Sequence, residues 1–226
     1  MRVIFNEEMK AVADDLDHMA QNVRKAIRGA GEALLETNVE AAQAVIDGDA
    51  ELDALQESVV DQCVKLLAKQ NPVATDLRVV VSTMRLAITF ERMGDLAKHV
   101  AEASRRAYPA SPLPEEAKDA FTKMQEFLDE TSDNVVAMLA DRDAKTAERI
   151  ILDDDKLDAL HKQTFDLALN EDVEMTRQQI IDIVLLGRFL ERLGDHAVSA
   201  ARQVVFIVSG FDPSKTPGPD KEGMTE

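Results

Sequence analysis

Apolar residues recur at three- and four-residue steps along almost the whole chain, the spacing of amphipathic helices. Met9, Val12, Leu16, Met19, Val23, Ile27, Ala30 and Leu34 form the first seam and predict a helix over about residues 5 to 36. Thr37-Asn38 interrupts it, and Asn38 is placed to cap the next helix. Ala41, Val45, Leu52, Leu55, Val59, Cys63 and Leu66 continue the spacing in a second helix, with Gly48 a weak point in its middle. Gln70-Asn71-Pro72 ends that helix, because the residue before a proline avoids the helical region. A third helix is predicted from about Val73 to Ala107 on the seam Leu77, Val80, Met84 and Ala87, with Ile88 alongside.

Pro109, Pro112 and Pro114 cannot continue a helix and mark a linker. Beyond it the plan repeats. Ala117, Phe121, Met124, Leu128, Thr131, Val135 and Met138 predict a fourth helix, and Ile150, Leu157, Leu160, Thr164 and Leu167 a fifth. A sixth runs from Val173 to about Ser209, with adjacent stripes through Leu190 and Val198, so it is buried over much of its circumference. Leu52-Asp53-Ala54-Leu55 returns as Leu157-Asp158-Ala159-Leu160, and Phe90-Glu91-Arg92-Met93-Gly94-Asp95 returns as Leu190-Glu191-Arg192-Leu193-Gly194-Asp195. The first pair stands 105 residues apart and the second 100, so the second half loses five residues, near Leu169–Thr176. The expected fold is all-α, two tandem three-helix bundles over residues 1–108 and 115–210, with a disordered Pro- and Gly-rich tail over 211–226.

Composition narrows the function classes. Hydrophobic residues are 45% of the 226, aromatics only 4%, and Trp is absent, which suits aliphatic helix packing. A net charge of −17 disfavours direct nucleic-acid binding and anionic membrane surfaces, and favours cations. No apolar run is long enough to span a bilayer or to serve as a signal peptide. Cys63 is the single cysteine, lies on a seam and reads as a small core residue. These features lead us to expect a reduced, cytoplasmic, soluble protein.

The doubled acidic motif carries the candidate chemistry. Glu91 and Asp95, like Glu191 and Asp195, stand four residues apart and share a helix face. Like charges at that spacing cost roughly 0.2–0.5 kcal/mol on an isolated helix. From Met84, steps of seven and eleven residues turn the helix by about −20° and +20°, so both carboxylates continue the apolar stripe. A cation between them is implied, and the residues alone allow either a metal ion or an Arg or Lys from a neighbouring helix. Arg92 and Arg192 lie about 100° away around the helix and are expected to pair elsewhere or to orient the site. Gly94 and Gly194 read as allowing close helix approach or metal access. His196 falls off the carboxylate stripe, and the Asp-x-x-His steps at His18 and His161 lack the remaining carboxylates of a di-iron bundle. No nucleophile elbow, phosphate-cradling loop or Cys/His pair is present, so an enzyme is not expected.

The duplicated plan, the doubled Glu-Arg-hydrophobic-Gly-Asp and the stretch Gln70-Asn71-Pro72-Val73-Ala74-Thr75-Asp76-Leu77-Arg78 together resemble the PhoU family of bacterial phosphate-signalling regulators. The resemblance implies that Glu91, Asp95, Glu191 and Asp195 help to hold a multinuclear metal cluster on the bundle surface. Where the family continues with an Asn and a Glu, the first half has His99 and Glu102 and the second has Ser199 and Arg202. His99 and Glu102 therefore join the candidate ligands, while Arg202 cannot ligate. Asp49, Asp53, Asp154 and Asp158 resemble further acidic family positions. Such a donor set suits divalent or trivalent ions, Mg²⁺, Mn²⁺ or iron, with zinc if His99 joins. The implied role is negative regulation of phosphate uptake through a phosphate ABC transporter and a sensor histidine kinase. Family likeness and the surplus seam of the sixth helix lead us to expect a homodimer. The rivals are a metal-dependent helical-bundle hydrolase or oxidase and a helical scaffold without metal.

Overall fold

The computed structural model describes residues 2–210, with side chains over 5–210. The tail expected over 211–226 lies outside the described residues. The described residues form seven α-helices and one short 3-10 turn, in the order α1 (Arg2–Leu35), α2 (Val39–Gln70), α3 (Ala74–Ala107), the turn Glu115–Ala117, α4 (Lys118–Asp141), α5 (Ala144–Leu152), α6 (Asp154–Ala168) and α7 (Arg177–Ser209). The described residues contain no strand.

Local chemistry sets the helix ends. The Asn38 side chain accepts from the Ala41 N–H and caps α2, and 105 residues later Asp143 does the same for α5 through the Lys145 N–H. The preceding residues, Thr37 and Arg142, both take positive φ, so the two half-chains turn alike. α2 runs unbroken through Gly48, although a helix-interior glycine costs about 0.8–1.0 kcal/mol relative to alanine. The expected fifth helix is instead two, α5 and α6, divided at Asp153. The expected sixth helix starts at Arg177 rather than Val173, because Asn170 draws the chain into a turn and Thr176 with Gln179 forms a capping box. The five-residue deficit falls where expected: α6 ends at Ala168, whereas α2 runs on to Gln70.

The halves share one core. Buried Met19, Ile27, Leu34, Leu86 and Phe90 are continuous with Phe121, Leu128, Leu186 and Leu193, and each large side chain so buried contributes about 1.5–3 kcal/mol. α1 packs on α4, and α3 packs on α7. α3 and α7 run antiparallel. Arg106 near the end of α3 pairs with buried Asp182 near the start of α7, and Arg78 near the start of α3 donates to the Ile207 carbonyl at 3.0 Å. This arrangement brings Gly94 and Gly194 to one level. α2 lies against α1 and α3 on one edge, and α6 lies against α7 and α4 on the other. Cys63 sits fully buried in α2, and burial pushes its thiol up to about 11.

Candidate functional site

Each acidic motif lies on a seam between an outer and an inner helix. In the first half the seam joins α2 to α3. A Cβ at Gly94 would overlap Leu52 and stand 4.0 Å from Asp49 Oδ1. In the second half it joins α6 to α7, where a Cβ at Gly194 would overlap Leu157 and stand 4.0 Å from Asp154 Oδ1. Each glycine thus lets a leucine seat against α3 or α7 and sets an aspartate of the outer helix beside the Glu-x-x-x-Asp pair. Asp49 and Asp154, with Asp53 and Asp158, complete four carboxylates per seam.

Mutual repulsion and burial mark both clusters. Burial first, and then the charge of Asp95, hold the Glu91 carboxyl above the ordinary range; Arg92 pulls it down and Asp53 pushes it up. Asp53 is raised by burial and then by Asp49 and Asp95. In the second seam burial and then Asp195 raise Glu191, and burial, Asp195 and Asp158 raise Asp154. Glu191 is the most enclosed of the four motif carboxylates: its Oε1 takes Arg188, and its Oε2 is buried without a hydrogen-bond partner among the described residues.

Side-chain cations contact both seams. Arg92 reaches back to Glu91 Oε2 and to Asp95 Oδ2, each at 3.4 Å. Its long stem spans the 100° of helix rotation that was expected to keep it apart, so Arg92 pairs at the site rather than elsewhere. Lys98 donates to the almost buried Asp49. The cations come from the motif helices themselves, not from the neighbouring helices. Arg188–Glu191 is legible in the sequence as an i,i+3 pair; Lys98–Asp49 joins residues 49 apart and leaves no mark there.

The remaining candidates are spread more widely. His99 stacks on Phe189 of α7 with ring centroids 5.3 Å apart, and its Nδ1 lies 3.3 Å from Glu102 Oε2. His161 belongs to the second seam: burial and then Arg188 lower its pKa, while Asp158 and Asp195 raise it. Among the described residues no three His, Cys, Asp or Glu side chains converge as a group that holds a metal ion. The donor chemistry nonetheless fits a hard cation. Every motif donor is a carboxylate, the charges are crowded, and Glu191 keeps a buried oxygen without a hydrogen-bond partner among the described residues.

The comparisons with known proteins agree with the duplication. The family model described as "PhoU domain" matches residues 16–104 and again 121–204. The chain is 34% identical over 215 residues to "Phosphate-specific transport system accessory protein PhoU homolog 1" of Mycobacterium tuberculosis, covering 95% of this chain and 97% of the relative. It is 33% identical to PhoU homolog 2 of the same organism, over 94% of this chain and all of the relative. Among solved structures, PhoU from Pseudomonas aeruginosa superposes with a TM-score of 0.85 at 26% identity, covering 92% of this chain and 100% of that one. Two matched repeats, each carrying one acidic seam, place this chain in the PhoU family.

Proposed function

We propose that this chain is a non-enzymatic, metal-binding negative regulator of phosphate uptake, acting in the cytoplasm through a phosphate ABC transporter and its sensor histidine kinase. The observation that carries the metal part is the seam built twice: four crowded carboxylates beside a helix-interior glycine, at matching places in both halves. The transport part rests on the accessory-protein relatives. Glu91 and Asp95 with Asp49 and Asp53 would hold one group of ions, and Glu191 and Asp195 with Asp154 and Asp158 the other. His99 and Glu102 stand at the edge of the first. A bound hard cation supplies charge that quiets this repulsion and gives an acidic face a point of attraction for phosphate oxygens. Among the described residues no helix is long and apolar enough to cross a membrane, in keeping with a partner that docks on a membrane transporter from outside the bilayer. Exposed Phe165 on α6 and Leu169 at its C-cap, with Ile181 and Leu185 on the adjoining α7, support a dimer face.

Calorimetric titration of the purified chain with Mn²⁺ tests the metal part. Glu91→Gln with Asp95→Asn should abolish one group of sites and Glu191→Gln with Asp195→Asn the other. Wild-type protein that binds no Mn²⁺ overturns it and favours the scaffold reading, which the Lys98–Asp49 and Arg188–Glu191 pairs support. For the regulatory part, deletion in the host should raise phosphate uptake when phosphate is plentiful. Unchanged uptake overturns that part separately.

A further inference from the structure

Between α1 and α2 runs a groove of about 710 Å³, the size of a small-molecule site. Gly48 forms part of its wall. A Cβ there would meet nothing within 4 Å, so packing does not require glycine at that point. Alanine is the better helix former in a helix interior. The bare Cα at Gly48 therefore has one structural effect, which is to widen the groove. Gly29 differs: a Cβ on it would stand 2.7 Å from Val45 Cγ2, so its absence lets α1 and α2 approach.

Three cations and three acids line this groove. Arg24, Lys25 and Arg28 line it within five positions of α1, in a protein of net charge −17. The acids beside them already have partners. Glu32 accepts from Asn38 at 2.6 Å, Glu51 lies 3.5 Å from His18, and Asp49 takes Lys98. Arg24 and Arg28 share the single carboxylate of Asp133, at 3.3 and 2.6 Å. Asp129 stands near Arg28 as well. Lys25 makes no hydrogen bond or ion pair among the described residues. Ala41, Ala44, Val45 and Leu52 of α2 also line the groove.

We propose that this groove binds a small phosphorylated organic molecule of the nucleoside-phosphate class. Its flat apolar body lies against the aliphatic wall at Gly48, and its phosphates meet Lys25 and the two arginines, whose planar forks suit phosphate oxygens. The groove adjoins the first acidic seam and shares Asp49, Leu52 and Gly94 with it, so its ligand is to be measured without the ions that seam would hold.

Calorimetry of the full chain with ATP in EDTA tests the proposal, since the chelator removes the ions on which the acidic seams depend. Wild type should bind ATP, and adenosine and pyrophosphate alone should each bind at least about tenfold more weakly. Gly48→Leu, which refills the wall, and Lys25→Glu should each weaken ATP by about tenfold or more. Gly48→Ala should raise Tm by about 2–4 °C, showing that the helix itself gains from losing the glycine. Absence of ATP binding to wild type overturns the site. So does equal affinity in folded Gly48→Leu, or pyrophosphate binding as tight as ATP, which would mark surface charge alone.

Discussion

The α2–α3 and α6–α7 seams repeat the same carboxylates, the same glycine and the same buried leucine, yet neutralise their charge by different means. In the first, Lys98 donates to Asp49; the matching position in the second is Val198, buried in the core, and Asp154 feels the field of Arg202 instead. In the second, Arg188 pairs with Glu191; the matching residue in the first is Ile88, exposed, and Arg92 serves Glu91 in its place. The acids are the shared requirement of the two halves, and the counter-charges are local solutions. In each half the cations offset the cost of crowding partly buried carboxylates.

The widest test of the equivalence removes the leucine that each glycine admits. Leu52→Ala and Leu157→Ala should each cost about 2–5 kcal/mol in urea denaturation, since both side chains are buried and leave a cavity. A cost near zero for one of them would show that the halves are not packed alike.

Lys98→Met comes next. Asp49 is only 7% exposed and would lose its ammonium, at a cost of about 2–3 kcal/mol once the 29% exposure of Lys98 is allowed for. The hydrogen bond to Asp49 raises the Lys98 pKa, so the pair stabilises the fold below the ordinary lysine pKa of about 10.4 and is lost as pH rises beyond it. The difference between variant and wild type should shrink as pH rises above that range. The same substitution should tighten Mn²⁺ binding in the first half only.

Glu191→Gln should raise Tm at pH 7 by about 2–4 °C. A folded-state pKa held above the unfolded one means that ionisation disfavours the fold, so stability falls as pH rises through it. The gain should vanish below about pH 4, where the carboxyl is protonated in both states. Glu91→Gln should act in the same direction and less, because the Glu91 side chain is 20% exposed against 11% for Glu191. The reverse order would contradict the contrast in burial.

The two matching caps give the smallest effect. Asn38→Ala should cost about 1 kcal/mol at any pH. Asp143→Ala should also destabilise, but its effect should fade in acid. The Thr146 hydroxyl and the Lys145 N–H hold the Asp143 pKa below the ordinary value, and that stabilisation is lost as pH falls through it.

Periodicity makes the long helices and the duplication legible, because Val12, Leu16, Met19 and Val23 recur as one face whatever packs on it. It misplaces the edge of the α3 seam. Leu77 and Ile88 fall on or beside that seam by spacing and are 41% and 46% exposed, whereas Leu86 and Phe90 are fully buried, since α3 is covered by α1, α2 and α7 together. The break at Asp153 is invisible to spacing because Ile150 and Leu157, seven residues apart, keep phase across it. The Thr176-x-x-Gln179 box is present in the letters, but the apolar residues just before it carry the predicted helix start too far back. At the site, the paired acids stand out by spacing alone. Asp182 and its tie to Arg106 do not, since the two lie 76 residues apart.

Cys63 provides the chain with a built-in clock. Its thiol lies wholly inside α2 and holds its proton up to about pH 11, so alkylating and oxidising reagents reach it only when that helix lifts away. With no second cysteine in the sequence, labelling is free of competing signals. The rate at which a thiol reagent modifies native protein therefore counts openings of the α1–α2–α3 unit alone. Followed with and without added Mn²⁺, it would report whether the ion changes the opening of the first seam, while the second goes unseen.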